Sequence, residues 1–89
     1  MTGVQTCALP IYVQDPSHGW LRAELEHVLQ LQVPISSYSY REGSIVWLEE
    51  DCDAPAYCSA LSKAGISYEI NDVHVEHTHI RDLPRWTGQ

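Results

Sequence analysis

Ile35-Ser36-Ser37-Tyr38-Ser39-Tyr40-Arg41-Glu42-Gly43-Ser44-Ile45-Val46-Trp47-Leu48-Glu49-Glu50 is the stretch that sets the fold class. Ile35 to Arg41 is Ser/Tyr-rich with period two, and Ser44 to Glu50 is a second extended run. Glu42-Gly43 between them reads as a two-residue hairpin loop. That loop pairs Arg41 with Ser44, Tyr40 with Ile45, Ser39 with Val46 and Tyr38 with Trp47. Tyr38, Tyr40, Ile45 and Trp47 then share one face, and Ser37, Ser39, Val46 and Leu48 the other. The aromatic face has three readings: core, self-association surface, or stacking platform for a base.

Outward from the hairpin, both flanks carry helical signals. Upstream, Leu21, Leu25, Val28 and Leu29 fall on one helical face, and the segment ends by Val33-Pro34. Trp20-Leu21-Arg22 is either the entry to that helix or the second arm of an earlier hairpin. Downstream, Asp53 is a suitable N-cap and Pro55 is tolerated in the first turn. Ala54, Tyr57, Cys58 and Leu61 line a face, and Gly65 provides the stop. Ile66, Tyr68 and Ile70 alternate as a strand. The apolar parity then switches to Val73 and Val75, which requires a bulge or tight turn across Asn71-Asp72. The expected architecture is α+β: a small antiparallel sheet with two helices on one face, in ferredoxin-like βαββαβ order with an extra N-terminal strand.

That extra strand begins beside a segment of different origin. Thr2-Gly3-Val4-Gln5-Thr6-Cys7-Ala8-Leu9-Pro10-Ile11 back-translates as ACT GGA GTT CAG ACG TGT GCT CTT CCG ATC. This reads through a common short-read library adapter, preceded by GTG as the start codon. Residues 1–11 are therefore expected to be non-native, with the true start lost, and residues 12–89 to form a single domain. Met1 to Ala8 should make no functional contact, and at most Leu9 to Tyr12 should extend the first strand.

Charge narrows the function classes. The 89 residues carry a formal charge of −7, with Arg22, Arg41, Lys63, Arg81 and Arg85 as the only cations against twelve carboxylates. Nucleic-acid affinity rests on phosphate neutralisation, so a long DNA or RNA ligand is not expected. Cys52 and Cys58, six apart, fit a reduced cytosolic protein better than a disulfide scaffold. Ala8-Leu9-Pro10-Ile11 is too short for a membrane span. A domain this small and without staples gains from burying a further face, which favours a homo-oligomer.

Four groupings carry chemistry. Asp15-Pro16-Ser17-His18-Gly19-Trp20 puts a carboxylate, an imidazole and an indole in one turn. It reads as a ligand site, with Trp20 stacking on a ring, or as a capped turn with Trp20 in the core. His77 and His79, two apart on a strand, point the same way, and His18 or Asp15 would complete a three-ligand set, if the strands adjoin, for a divalent transition metal that would activate water. Glu49, Glu50, Asp51 and Asp53 offer carboxylates to a cation or basic partner, or favourable charge at a helix N-terminus. Tyr38, Tyr40 and Trp47, with Arg41, Arg81 or Arg85 nearby, suit a small nucleotide.

The chain from Val13 to Arg81 resembles a family of short proteins common in bacteriophage genomes. The resemblance rests on Asp15-Pro16-Ser17-His18-Gly19-Trp20, Ser37-Tyr38-Ser39-Tyr40, Gly43, Leu48-Glu49-Glu50-Asp51 and Ile80-Arg81. Ser17 stands where the family usually has Gly, which puts a positive φ there in question. The resemblance implies a phage product acting in the cytoplasm of an infected bacterial host. The resulting expectation is a non-catalytic binding protein that blocks a host process, possessing no complete nucleophile–base set. It would hold a small ligand such as a nucleotide signal, or dock on a host protein, through Asp15, His18, Trp20, Tyr38, Tyr40 and Arg81. Two alternatives are a small metal-dependent hydrolase using His77, His79 and His18, and a structural phage protein without a ligand.

Overall fold

Alternating side chains of a strand point to opposite faces, and here both faces of one sheet are buried under different parts of the chain. The computed structural model describes residues 10–88; the expectation about Met1 to Ala8 lies outside them. In order, the elements are β1 (Ile11–Gln14), β2 (Gly19–Glu24), α1 (Leu25–Gln30), β3 (Tyr40–Glu42), β4 (Ile45–Glu49), α2 (Asp53–Lys63) and β5 (Asn71–His74). A short 3-10 helix follows at His79–Asp82. The five strands form one sheet in the order β3-β4-β2-β1-β5.

One face carries Tyr12, Leu21, Ala23, Val46 and Leu48, which pack against Leu25 and Val28 of α1 and Ala54, Tyr57 and Leu61 of α2. Both helices thus lie on a single face, and the α+β class holds. The opposite face carries Val13, Trp20, Tyr40, Ile45 and Trp47, sealed by Ile80 and Leu83 from the C-terminal segment. Full burial of a side chain of this kind contributes about 1.5–3 kcal/mol.

The wholly antiparallel, ferredoxin-like arrangement is corrected by the strand order. β1 lies between β2 and β5 and pairs with β5 in parallel, Ile11 opposite Asn71 through Gln14 opposite His74. The β3-β4-β2 part of the sheet is antiparallel throughout, so the departure lies in β1, which separates β2 from β5. The physical reason lies in the tight turn after β1. It folds β1 back antiparallel to β2, Tyr12 opposite Leu21 through Gln14 opposite Gly19, and so occupies the edge of β2 where β5 would otherwise pair.

The first helix is shorter than its periodicity suggested because Leu21 serves two patterns. Leu21 and Ala23 alternate with Trp20 and Arg22 as well as fitting i, i+4 with Leu25. Five pairings with β4, from Trp20 opposite Glu49 to Glu24 opposite Ile45, take the backbone for the strand. Leu29 is left exposed. Gln14 opposite Gly19 closes the β1–β2 hairpin around Asp15–His18, so the hairpin reading of Trp20–Arg22 is the correct one.

The β3–β4 loop is Gly43-Ser44, with Gly43 at φ +61°, and Tyr40 pairs with Trp47 and Glu42 with Ile45. The register is two residues from the expected one, which leaves every side chain on its expected face. Tyr38 falls outside the ladder. It sits in a turn and is 64% exposed. Ile66–Ile70 is not a strand, and β5 begins where the parity changes, at Asn71. α2 ends as expected: Gly65 takes φ +75°, with Gly65 N–H donating to the Ser62 carbonyl and Ile66 N–H to that of Leu61. This is a Schellman closure.

After β5 the chain crosses the aromatic face to the opposite edge. There Arg41 N–H donates to the Pro84 carbonyl and Trp86 N–H to that of Ser39, both at 2.8 Å. This strap covers the outer edge of β3, a surface otherwise open to pairing with other chains. Among the described residues, no helix is long and apolar enough to cross a membrane.

Candidate functional site

The Asp15–Trp20 turn is held by its own carboxylate. Asp15 Oδ1 accepts from the N–H groups of Ser17 (2.9 Å) and His18 (2.8 Å). Ser17 keeps negative φ; among described non-glycine residues only Gln32 is positive. Arg81 Nε then donates to Asp15 Oδ2 at 2.8 Å and its Nη2 to Oδ1 at 3.2 Å, pinning the strap to the turn. These donors, Arg81 first and the His18 N–H second, hold the Asp15 carboxyl well below the usual carboxylate range.

A depressed carboxylate stabilises the fold above its ordinary value of 3.8 and loses that contribution as pH falls below it. The thermal midpoint of the wild type is therefore expected to drop as pH is lowered from about 4. Asp15→Asn should be less stable than wild type at pH 7, with the gap closing in acid. Midpoints measured across that range check this, and a gap independent of pH would contradict it.

The acidic run knits three segments together rather than standing as a loose cation trap. Glu49 accepts from the N–H groups of Asp51 (2.7 Å) and Cys52 (2.9 Å), forming the turn into α2. Glu50 Oε1 accepts from Gly19 N–H at 2.9 Å and lies 3.4 Å from His18 Nδ1, tying the run to the β1–β2 hairpin. The Tyr12 hydroxyl donates to Glu50 Oε2 at 3.4 Å, and burial together with that carboxylate pushes the phenol pKa up. Glycine at position 19 leaves room for this approach, since a Cβ there would overlap the Tyr12 phenol and force that ring to move.

Asp53 is not the N-cap; Cys52 occupies that position. The buried Asp53 carboxylate turns back and accepts from Ser36 N–H (2.9 Å), Ser36 Oγ–H (2.8 Å) and Ser39 Oγ–H. Ser39 Oγ in turn accepts from Glu49 N–H at 3.0 Å.

Around this corner opens a cleft of about 410 Å³. Its floor is Trp20 and Tyr40, only 3% and 8% exposed, packed edge to face with ring centroids 6.2 Å apart. Each ring is capped by a guanidinium: Arg81 lies 5.1 Å from the Trp20 centroid and Arg85 5.2 Å from that of Tyr40. His18 and Tyr38 stand at the rim, and Glu49, Glu50, Asp51 and Cys52 form the opposite wall. Of the six residues expected to bind a ligand, His18, Trp20, Tyr38, Tyr40 and Arg81 line this cleft, and Asp15 stands behind it as the partner of Arg81.

Two roles change. Trp20 cannot stack on a ligand, since its ring is buried and already covered by Arg81. The aromatic face is not an open platform either, because Ile80 fills the space between Trp20, Tyr40 and Trp47. No protein-family model, curated protein or solved structure matches the chain. The cleft is read from its own chemistry.

The histidine set comes apart. β5 ends at His74, so His77 and His79 do not share a strand. His79 pairs with Glu42 at 3.1 Å and meets Trp47 edge to face, while His18 lies beside Glu50. The Trp47 indole N–H and His79 together hold the Glu42 carboxyl below its usual range. Among the described residues, no three His, Cys, Asp or Glu side chains are grouped to hold a metal ion. Cys58 is half-buried against the core, and burial pushes its thiol pKa up. Arg85, offered by the sequence as one of three cations for a nucleotide, and Asp51, offered as part of the acidic run, both line the cleft although neither is among the six residues expected to bind a ligand. Their place in the cleft follows from the strap reaching the β3 edge and from the turn before α2.

Proposed function

We propose that this chain is a non-catalytic binding protein of phage origin that interferes with a host process by holding a small nucleotide-class ligand in this cleft. The observation that carries the reading is a convergence. The stretches on which the phage-family resemblance rests, Asp15–Trp20, Ser37–Tyr40, Leu48–Asp51 and Ile80-Arg81, supply every lining residue except Cys52 and Arg85. Its size lies in the range of small-ligand sites, about 300–1,000 Å³. Arg85 meets only the Ser37 carbonyl and the Tyr40 ring, so among the described residues its charge lacks a carboxylate partner. The exposed Tyr38 ring at the rim is suited to stack on a base. Ser36 and Ser39 hydroxyls are engaged by Asp53, which argues against their use as nucleophiles.

A thermal-shift screen of mono-, di- and cyclic nucleotides tests the reading. A true ligand at a hundred times its Kd raises stability by about 2.7 kcal/mol, and Arg85→Ala should abolish the shift while leaving the unliganded midpoint near that of wild type. A screen in which no nucleotide moves the midpoint overturns it. Host-protein docking is the second reading, favoured by exposed Tyr and Arg side chains of the kind that anchor protein contacts.

A further inference from the structure

The cleft is lined by groups of both charges, and hydrogen-bond accounting identifies the unspent group of each sign. On the acidic wall, Glu49 is engaged by two backbone N–H groups and Glu50 by Gly19 N–H and the Tyr12 hydroxyl. Asp51 is exposed, and among the described residues its carboxylate accepts no hydrogen bond and joins no ion pair. On the basic side, Arg81 is committed to Asp15 through two nitrogens, whereas Arg85 is held only by a carbonyl at 3.3 Å and a ring. The exposed ring of Tyr38 lines the same cleft. A ligand that satisfies all three has an anionic group, a planar ring, and N–H donors on the far edge of that ring. A cationic ligand seeking an aromatic box is disfavoured, since Trp20 and Tyr40 already carry guanidinium groups.

We infer that the cleft selects guanine nucleotides, with Arg85 on the phosphate, Tyr38 against the base and Asp51 on the Watson–Crick edge. This rests on the nucleotide-binding reading above and narrows it. Guanine is the nucleobase with two adjacent donors on that edge, N1–H and the 2-amino group, which a carboxylate accepts together. Adenine and cytosine each place an acceptor beside their single amino donor, so a carboxylate there meets a lone pair. Uracil flanks its one N–H with two carbonyls. A volume of about 410 Å³, near the low end for small-ligand sites, favours one nucleotide over two.

Calorimetric titration of the full chain with GMP, AMP, CMP and UMP tests this, using wild type, Asp51→Asn and Arg85→Ala. A bidentate contact to a base edge discriminates by about tenfold to a hundredfold. GMP is expected to bind at least about tenfold more tightly than the other three. Asp51→Asn should erase that preference without weakening AMP, and Arg85→Ala should weaken all four. Equal affinities, a preference for another base, or an Asp51→Asn variant that keeps its GMP preference overturns the guanine assignment and leaves nucleotide binding standing. Absence of binding by all four, alongside a blank screen of the other nucleotides, removes both.

Discussion

Trp20→Ala is expected to unfold most of the protein at 37 °C, and circular dichroism with thermal melts would register it. The indole is 3% exposed and packs with Tyr40, Trp47 and Ile80 on the strap side of the sheet. Removing a buried Trp side chain costs about 3–5 kcal/mol. A chain of 89 residues has roughly 4–13 kcal/mol in total, at about 0.05–0.15 kcal/mol per residue. The loss extends past the cavity, because Arg81 rests on this ring while it pairs with Asp15, so the strap loses a support at the same moment. A midpoint lowered by tens of degrees follows from a sensitivity of about 4–8 °C per kcal/mol in domains of this size. Tyr38→Ala is the contrasting variant. Its ring is largely in solvent, so the midpoint should stay near that of wild type while nucleotide binding falls. If Trp20→Ala melted like wild type, the two-sided core described above would be wrong.

How much of this was legible in the residues depends on whether the decisive interactions were local. The hairpin's faces were, because side-chain parity survives a register error of two residues. So were the α2 stop at Gly65 and the turn at Asp15, each set by neighbours within a few positions. The strand order was not. It depends on β1 finding β5 some sixty residues away, and the parity switch after Ile70 marks where β5 starts without naming its partner. Leu21 fitted two periods equally, and only pairing with β4 decided between them. For the site, five of the six named residues share the cleft because three of the motifs lie at one end of the sheet. The role given to Trp20 could not be judged without the strap, since it is Ile80 and Arg81 that turn an aromatic face from a platform into a core. The histidine cluster failed for the same reason: alternation was assumed to continue past His74, and the chain leaves the sheet there.

Asp53→Ala should be the most damaging change on the polar side, losing on the order of 3 kcal/mol, as expected when charge-assisted hydrogen bonds worth about 1.5–3 kcal/mol each are removed together. Asp53 is 4% exposed and its carboxylate gathers three donors from the loop before β3. Without it, the Ser36 N–H and hydroxyl, both part-buried, lose their acceptor, and Ser39, itself fully buried, loses the one that orients it toward Glu49 N–H. The consequence reaches the cleft. Ser36 and Ser39 fix the segment that presents Tyr38 and Tyr40, and Ser37 supplies the carbonyl that holds Arg85. Asp53→Asn keeps one acceptor oxygen and should recover part of the stability. Chemical denaturation measures both variants on one scale. Urea titrations in which Asp53→Ala and Asp53→Asn unfold together with wild type would show that α2 and the Ser-Tyr-Ser-Tyr segment are not coupled through this carboxylate. The expected ordering, wild type above Asn above Ala, together with nucleotide affinity falling in the same order, would show that the buried tether holds the cleft in shape.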